Sequence, residues 1–140
     1  MNEKDVVLVV DDDTSNLMEL THFLRSDYKV YAVKDGHSAL KNAAENLPDV
    51  ILLDVVMPNM SGFEVLSELK KSEKVKDIPV ILITGMKDSI DEIEGLTKGA
   101  ADYIRKPFEA AIVKFKVNQQ IEIVKLRRDL KEALAALENK

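Results

Sequence analysis

The sequence contains no cysteine, and this absence excludes two kinds of site. The chain can form neither a disulfide framework nor a metal site with thiolate ligands. The lack of cysteine agrees with a reducing compartment, and we expect the protein to act in the cytoplasm. The first residues, Met1 to Asp5, carry acidic side chains and lead into an apolar run that covers only Val6 to Val10. We therefore expect no secretory signal peptide.

Long apolar runs and an excess of positive charge are also missing. No stretch approaches the roughly 20 apolar residues needed to cross a bilayer, so we expect no membrane partner. Lys and Arg number 20 against 25 Asp and Glu, and the formal net charge of -5 offers no global field that attracts nucleic acid. With 46% hydrophobic and 32% charged residues in 140, the composition is that of one water-soluble globular domain.

Motifs of several common enzyme classes are absent as well. The sequence has no glycine-rich dinucleotide fingerprint, no Walker-type loop, no His-Glu-x-x-His and no Gly-x-Ser-x-Gly. The two histidines, His22 and His37, form no ligand pair or catalytic set, and we expect a surface or helix-face role for both. The function must therefore depend on other side chains.

Short β-branched runs alternate with segments of helical period along the whole chain. This alternation predicts a doubly wound parallel α/β sheet with helices on both faces. The predicted strands lie at Val6 to Val10, Lys29 to Val33, Val50 to Leu53, Val80 to Ile83 and Tyr103 to Ile104. The apolar stripe of the second helix is expected to end at Leu47. That of the fourth is expected to comprise Ile90, Ile93, Leu96 and Ala100.

Polar residues follow these predicted strands where the chain leaves the sheet. Because ligands bind outside the carboxyl ends of the strands in such sheets, we expect these side chains to converge on one crevice. They are Asp11, Asp12, Asp13, Asp54, Thr84 and Lys106.

Clustered carboxylates repel one another unless a cation or protons reduce the charge, and oxygen ligands favour hard divalent ions. Mg²⁺ fits this set best, with Mn²⁺ as an alternative. An aspartate beside such an ion, Asp54, can attack phosphorus to form an aspartyl phosphate, while Lys106 and Thr84 face the new phosphoryl oxygens. For Asp13 or Thr14 we favour a simpler role, the N-cap of the first helix.

The chain resembles the receiver domain of two-component response regulators over roughly residues 4 to 120. Four segments in the same order and spacing carry this resemblance: Val7 to Asp12 (VLVVDD), Leu52 to Gly62 (LLDVVMPNMSG), Ile81 to Gly85 (ILITG) and Gly99 to Phe108 (GAADYIRKPF). The resemblance implies a flavodoxin-like fold with strand order 2-1-3-4-5. It further implies a phosphorylation-dependent signalling switch, a regulator and not an enzyme acting on other molecules.

The resemblance also implies individual roles. Asp54 matches the aspartate that accepts a phosphoryl group from a sensor histidine kinase, and Asp11 and Asp12 match the acids of the metal site. The main-chain carbonyl of Val56 is implied as a further metal ligand. Thr84 and Lys106 match the family's hydroxyl and lysine at the phosphoryl group, and Tyr103 matches the aromatic residue that moves with Thr84. The Lys106-Pro107 bond resembles the cis peptide of the family.

Two alternatives remain open from the residues alone. Asp11-x-Asp13 resembles the nucleophile motif of haloacid dehalogenase-like phosphatases, although Ser15 stands where a threonine is usual and Asp54 would have no role. The chain could instead be a receiver-like interaction module that accepts no phosphate. Turnover of p-nitrophenyl phosphate would favour the first, and partner binding unaffected by Asp54→Ala the second.

The last helical pattern runs from about Phe108 to Leu137 without Gly or Pro. We expect a receiver domain over residues 1–120 and, over 121–140, an extension of the last helix that acts as a coiled coil or connector. A heptad seam is predicted at Ile123, Leu126, Leu130, Ala133 and Leu137. The family resemblance implies a sensor histidine kinase as a partner. The extended helix adds two further expected partners, a second copy of the chain and an output domain outside the chain.

Overall fold

The structure is a computed structural model that describes residues 4–85 and 89–139, without the side chains of residues 89–91. Strands and helices alternate strictly along the described chain. The elements are β1 (Val6–Val10), α1 (Thr14–Leu24), β2 (Lys29–Val33), α2 (Gly36–Asn46), β3 (Val50–Asp54), α3 (Gly62–Lys71), β4 (Val80–Thr84), α4 (Ser89–Thr97), β5 (Asp102–Arg105) and α5 (Ala110–Glu138).

The five strands form one parallel sheet in the order β2-β1-β3-β4-β5. The predicted fold class and strand order are thereby confirmed. After β1 the chain forms β2, which pairs with one edge of β1, and then β3, which pairs with the other edge of β1. The crevice between the carboxyl ends of β1 and β3 is the position at which doubly wound sheets bind ligands.

The sheet separates two hydrophobic cores. Side chains of successive strand residues point to opposite faces, so Val7 and Val9 of β1 pack with α1 and α5, whereas Leu8 and Val10 pack with α2 and α3. Both faces are covered, and β3 and β4 are buried along their whole length. This explains why their sequences are almost continuously apolar.

The predicted apolar stripe of α4 is wrong in phase. Ile93 and Leu96 are 66% and 44% exposed, and the described residues that face the sheet are Glu92 and Gly95. A Cβ atom at position 95 would overlap Leu82 Cδ1, so a glycine at this position allows α4 to approach Leu82 closely. Of the remaining predicted members, Ala100 is buried beyond the helix, and the Ile90 side chain is outside the described part.

The predicted burial of Leu47 is also wrong. Leu47 caps α2 in a left-handed conformation with a φ of 46°, and its side chain is 50% exposed. The next residue is Pro48, which disfavours helical geometry at the residue before it, so the helix ends and the side chain turns away from the core.

The last helix, α5, continues far beyond the sheet. Its buried apolar residues are Val113, Val117 and Ile121, while Leu126 and Leu130 further along are 65% and 60% exposed. Even so, no helix in residues 4–85 and 89–139 is long and apolar enough to cross a membrane.

Candidate functional site

Three carboxylates meet at the carboxyl edge of the sheet. Asp11 follows β1, Asp12 is its neighbour, and Asp54 is the last residue of β3. One carboxylate oxygen of each residue lies within 4.8 Å of the others. Asp11 is completely buried and Asp54 is 3% exposed, whereas Asp12 is open to solvent. The three predicted acids therefore form one cluster that reaches solvent at Asp12.

Local hydrogen bonds orient the two buried acids. The Asp13 N–H donates to Asp11 Oδ1 at 2.9 Å, and the Asn16 side-chain amide donates to Asp11 Oδ2 at 3.1 Å. The Val56 N–H donates to Asp54 Oδ1 at 3.3 Å. Asp13 does not join the cluster of three acids but caps α1, accepting a hydrogen bond from the Asn16 N–H, as the sequence predicted. Each buried acid thus keeps oxygen lone pairs free for a further ligand.

The loop after Asp54 returns tightly to the end of β3. The Gly62 N–H donates to the Val55 carbonyl at 2.9 Å, and a Cβ at position 62 would overlap the Asp54 main-chain oxygen. Glycine is thus required here for the loop to close beside the acids. Within this loop the Val56 side chain is 69% exposed, at the rim of the cluster.

Lys106 supplies the positive charge that the sequence predicted at this edge. The main-chain N–H of Lys106 donates to the Thr84 carbonyl at 2.9 Å, which extends the pairing of β4 and β5. The peptide bond between Lys106 and Pro107 is cis. The ammonium Nζ lies 3.7 Å from Asp54 Oδ1 and 3.9 Å from Asp11 Oδ2. The ammonium group therefore lies beside both buried acids.

The electrostatics of the cluster favour a bound cation. Burial and the adjacent Asp11 carboxylate raise the pKa of Asp54 to about 7, although Lys106 and the Val56 N–H oppose this rise. One lysine does not fully offset carboxylates held this close together. Acidic oxygens with an open side are suitable ligands for Mg²⁺, so the donor set fits the ion that the sequence predicted.

The Thr84 hydroxyl points away from the acids toward α4. It donates a hydrogen bond of 3.0 Å to Glu92 Oε2, and both side chains are buried, at 2% and 5% exposed. The Arg105 guanidinium donates two hydrogen bonds to the same carboxylate, from Nε to Oε2 at 2.7 Å and from Nη2 to Oε1 at 2.8 Å. The hydrogen bonds from Arg105 lower the pKa of Glu92 despite its burial. Glu92 is therefore held as a carboxylate.

Tyr103 lies on β5, two strands from β3 and its Asp54, and two cations flank its ring. It is half-buried against the core, with Lys116 Nζ at 4.6 Å and the Arg105 guanidinium carbon at 5.5 Å from its ring centroid. Lys116 also donates to the Tyr103 carbonyl and to Asp102 Oδ1. The ring is thus held by cation–π contacts and is not fully enclosed.

The sequence did not indicate roles for Glu92, Arg105 or Lys116. Glu92 is adjacent to Ile93, which was expected to face the core, and a helix with that face buried would turn Glu92 away from Thr84. The one available signal was Gly95, which lies three residues later on the same side of the helix.

A doubly wound sheet with three clustered carboxylates and a lysine at its carboxyl edge is typical of a class of small phosphoacceptor domains. Comparison with known proteins identifies the family within this class. A family profile described as the response regulator receiver domain matches residues 7–118. The chain therefore belongs to the response regulator receiver domain family, whose members are phosphorylation-dependent signalling switches.

Individual relatives agree with this assignment. The response regulator PleD of Caulobacter vibrioides is 45% identical over 104 residues, which cover 74% of this chain and 23% of PleD. The alkaline phosphatase synthesis transcriptional regulatory protein PhoP of Bacillus subtilis is 34% identical over 140 residues, covering 99% of this chain and 55% of PhoP. The chain thus spans about half or less of these two curated relatives.

A solved structure shows the same fold at nearly the same length. The chemotaxis response regulator CheY4 of Vibrio cholerae superposes with a TM-score of 0.78 at 30% sequence identity. The match covers 84% of this chain and 98% of CheY4.

Proposed function

We propose that Asp54 accepts a phosphoryl group from the phosphohistidine of a sensor histidine kinase, and that this chain is a regulator and not an enzyme with turnover. The observation that carries the proposal is the position of the Lys106 ammonium group, which lies within 4 Å of both the Asp11 and the Asp54 carboxylates. In this geometry an Asp54 oxygen attacks phosphorus, a P–O bond forms, the P–N bond breaks, and the imidazole leaves with the bonding electron pair.

The residues proposed to hold a divalent cation are Asp11, Asp12 and Asp54, with the main-chain carbonyl of Val56. When bound, Mg²⁺, or Mn²⁺ in its place, would neutralise negative charge on the transferring phosphoryl oxygens. Lys106 contributes a second positive charge and favours the ionised form of Asp54 that attack requires. Hydrogen bonds to Asp11 keep its carboxylate in place throughout.

The response to phosphorylation is proposed to depend on Thr84 and Tyr103. After transfer, the Thr84 hydroxyl turns from α4 to donate a hydrogen bond to a phosphoryl oxygen, and Tyr103 moves inward toward the space that is vacated. This rearrangement changes the exposed surface formed by α4, β5 and α5. Ile93, Leu96 and Phe115, all exposed, lie on these elements and give the surface an apolar character.

The proposed division of the chain is a receiver domain over residues 1–120 and a helical extension over 121–140. We propose that the extension pairs with a second copy of the chain through Leu126, Leu130 and Leu137. Because PhoP is named a transcriptional regulatory protein and the chain spans 55% of it, an output domain outside this chain is also proposed.

Phosphorylation with acetyl phosphate tests the proposal directly. Incubation with acetyl phosphate and Mg²⁺ should add the mass of one phosphoryl group, and EDTA should prevent it. Asp54→Ala should abolish the added mass, whereas Asp49→Ala, a change to an aspartate at the opposite end of the sheet, should not. Persistence of the mass in Asp54→Ala, or steady turnover of p-nitrophenyl phosphate by the parent, would overturn the assignment.

A further inference from the structure

The buried Glu92 carboxylate joins the proposed switch hydroxyl to β5. One of its oxygens, Oε2, accepts hydrogen bonds from both Thr84 Oγ1 and Arg105 Nε, and the other accepts from Arg105 Nη2. A threonine hydroxyl carries a single hydrogen, so while Thr84 donates to Glu92 it has none to donate elsewhere. The hydroxyl is therefore committed to α4 in this state of the protein.

The backbone arrangement makes this contact specific. Thr84 of β4 and Arg105 of β5 are directly paired in the sheet, so both side chains reach the same carboxylate from adjacent strands. Gly95 lets α4 approach the sheet, which places Glu92 one turn earlier within reach of both. A buried carboxylate is costly unless it is paired, and Arg105 supplies the bidentate partner.

From this geometry we propose that Glu92, clamped by Arg105, is a positioning residue that holds the Thr84 hydroxyl in the unphosphorylated orientation. The hydroxyl has to leave Glu92 before it can donate to a phosphoryl oxygen on Asp54. The Thr84–Glu92 hydrogen bond thus sets part of the free-energy gap between the two states of the switch. The inference rests on the proposed role of Thr84 in the response to phosphorylation.

The same contacts extend to the second proposed switch residue. The Arg105 guanidinium that grips Glu92 also lies 5.5 Å from the ring centroid of Tyr103. Release of Thr84 leaves Glu92 bonded to Arg105 alone, and any resulting shift of Arg105 alters the cation that flanks the ring. Glu92 and Arg105 therefore provide a continuous series of contacts from Thr84 to Tyr103.

Beryllofluoride, a phosphoryl analogue, with Mg²⁺ is the probe that measures this gap. Loss of a hydrogen bond to a charged group that exists only in the unphosphorylated state should tighten analogue binding about tenfold in Glu92→Ala. Glu92→Gln keeps one acceptor oxygen for Thr84 and should give an intermediate value. Glu94→Ala, which removes a partly exposed carboxylate of α4 that pairs with Lys98, should leave the affinity unchanged.

A double-mutant cycle separates positioning of the hydroxyl from a merely structural ion pair. In a Thr84→Val background there is no hydroxyl to hold, so adding Glu92→Ala should no longer tighten binding. An ion pair that only stabilises the fold would give the same change in both backgrounds. Amide resonances of Thr84 and Tyr103 in the labelled, analogue-free protein should also shift toward their bound positions in Glu92→Ala.

Each outcome decides between the claims. If the parent binds no beryllofluoride, or if Asp54→Asn binds it as tightly as the parent does, the proposed function itself fails. If the parent binds and Asp54→Asn does not, but Glu92→Ala and Glu92→Gln both match the parent, the positioning role of Glu92 is wrong. Weaker binding by Glu92→Gln while its thermal unfolding matches the parent's would also overturn the inference.

Discussion

Pairing through the projecting part of α5 can be evaluated from its exposed leucines. Leu126, Leu130 and Leu137 are 65%, 60% and 61% exposed. Together with Ala133 they follow the alternating three- and four-residue spacing of a coiled coil. Complete burial of a leucine side chain contributes about 1.5–3 kcal/mol, so burying the exposed share contributes about 1–2 kcal/mol for each. Six leucines in a parallel dimer then contribute about 6–12 kcal/mol.

Association itself costs about 4–15 kcal/mol in lost translational and rotational freedom, so the two terms nearly cancel. We therefore expect a weak dimer whose population depends on the protein concentration. Replacing Leu126 and Leu130 together by Asp removes four of the six leucines, or about 4–8 kcal/mol, and also introduces like charges at the seam. That variant should be monomeric at every accessible concentration.

Light scattering across a concentration series provides the measurement, with and without beryllofluoride. The double variant and a chain ending at Gln120 should both be monomeric, whereas Ala135→Asp should retain pairing because position 135 is on the opposite side of the helix. A full chain that stays monomeric at high concentration in both states would refute the seam. Pairing that survives both the double variant and the truncation would show that another surface mediates it.

Three further predictions concern the acid cluster and the switch. Asp12→Ala should weaken Mg²⁺ binding at least about tenfold more than Asp13→Ala, because the first removes a proposed ligand and the second a helix cap; equal losses in a metal titration would contradict this division. Thr84→Ala should still be phosphorylated by acetyl phosphate but should show a smaller shift of the Tyr103 amide resonance, and a shift identical to the parent's would exclude the proposed role of the hydroxyl. Without divalent cation, the free energy of unfolding should fall as pH rises from 3.8 toward about 7, because folded Asp54 retains a proton that the unfolded chain has released. Denaturant titrations of Asp54→Asn should show a smaller decrease, and a pH dependence equal to the parent's would assign it to other groups.

The sheet and the acid cluster were predictable because their signals are local. Each strand is a short apolar run, and parallel topology brings the residues after these runs to one edge whatever their separation in sequence. Asp11, Asp54 and Lys106 could therefore be grouped before their distances were known. The expected capping role of Asp13 needed only the positions next to the first helix.

The orientation of α4 could not be predicted in the same way. Its pattern contains isoleucine and leucine at helical spacing, and hydrophobicity alone places these residues toward the core. The observed phase instead depends on a contact between Gly95 and Leu82 and on an ion pair between Glu92 and Arg105. Both are long-range contacts between elements, and neither leaves a periodic signal in the sequence.

The uninterrupted course of α5 has a mechanical consequence. From Ile121, its last buried apolar residue, to its end at Glu138 the helix extends about 25 Å, with neither glycine nor proline to act as a hinge. A tilt of about 5° at the anchored end would therefore displace the far end by about 2 Å. The helix is a lever arm, and a rearrangement too small to repack the domain would still be amplified at its tip.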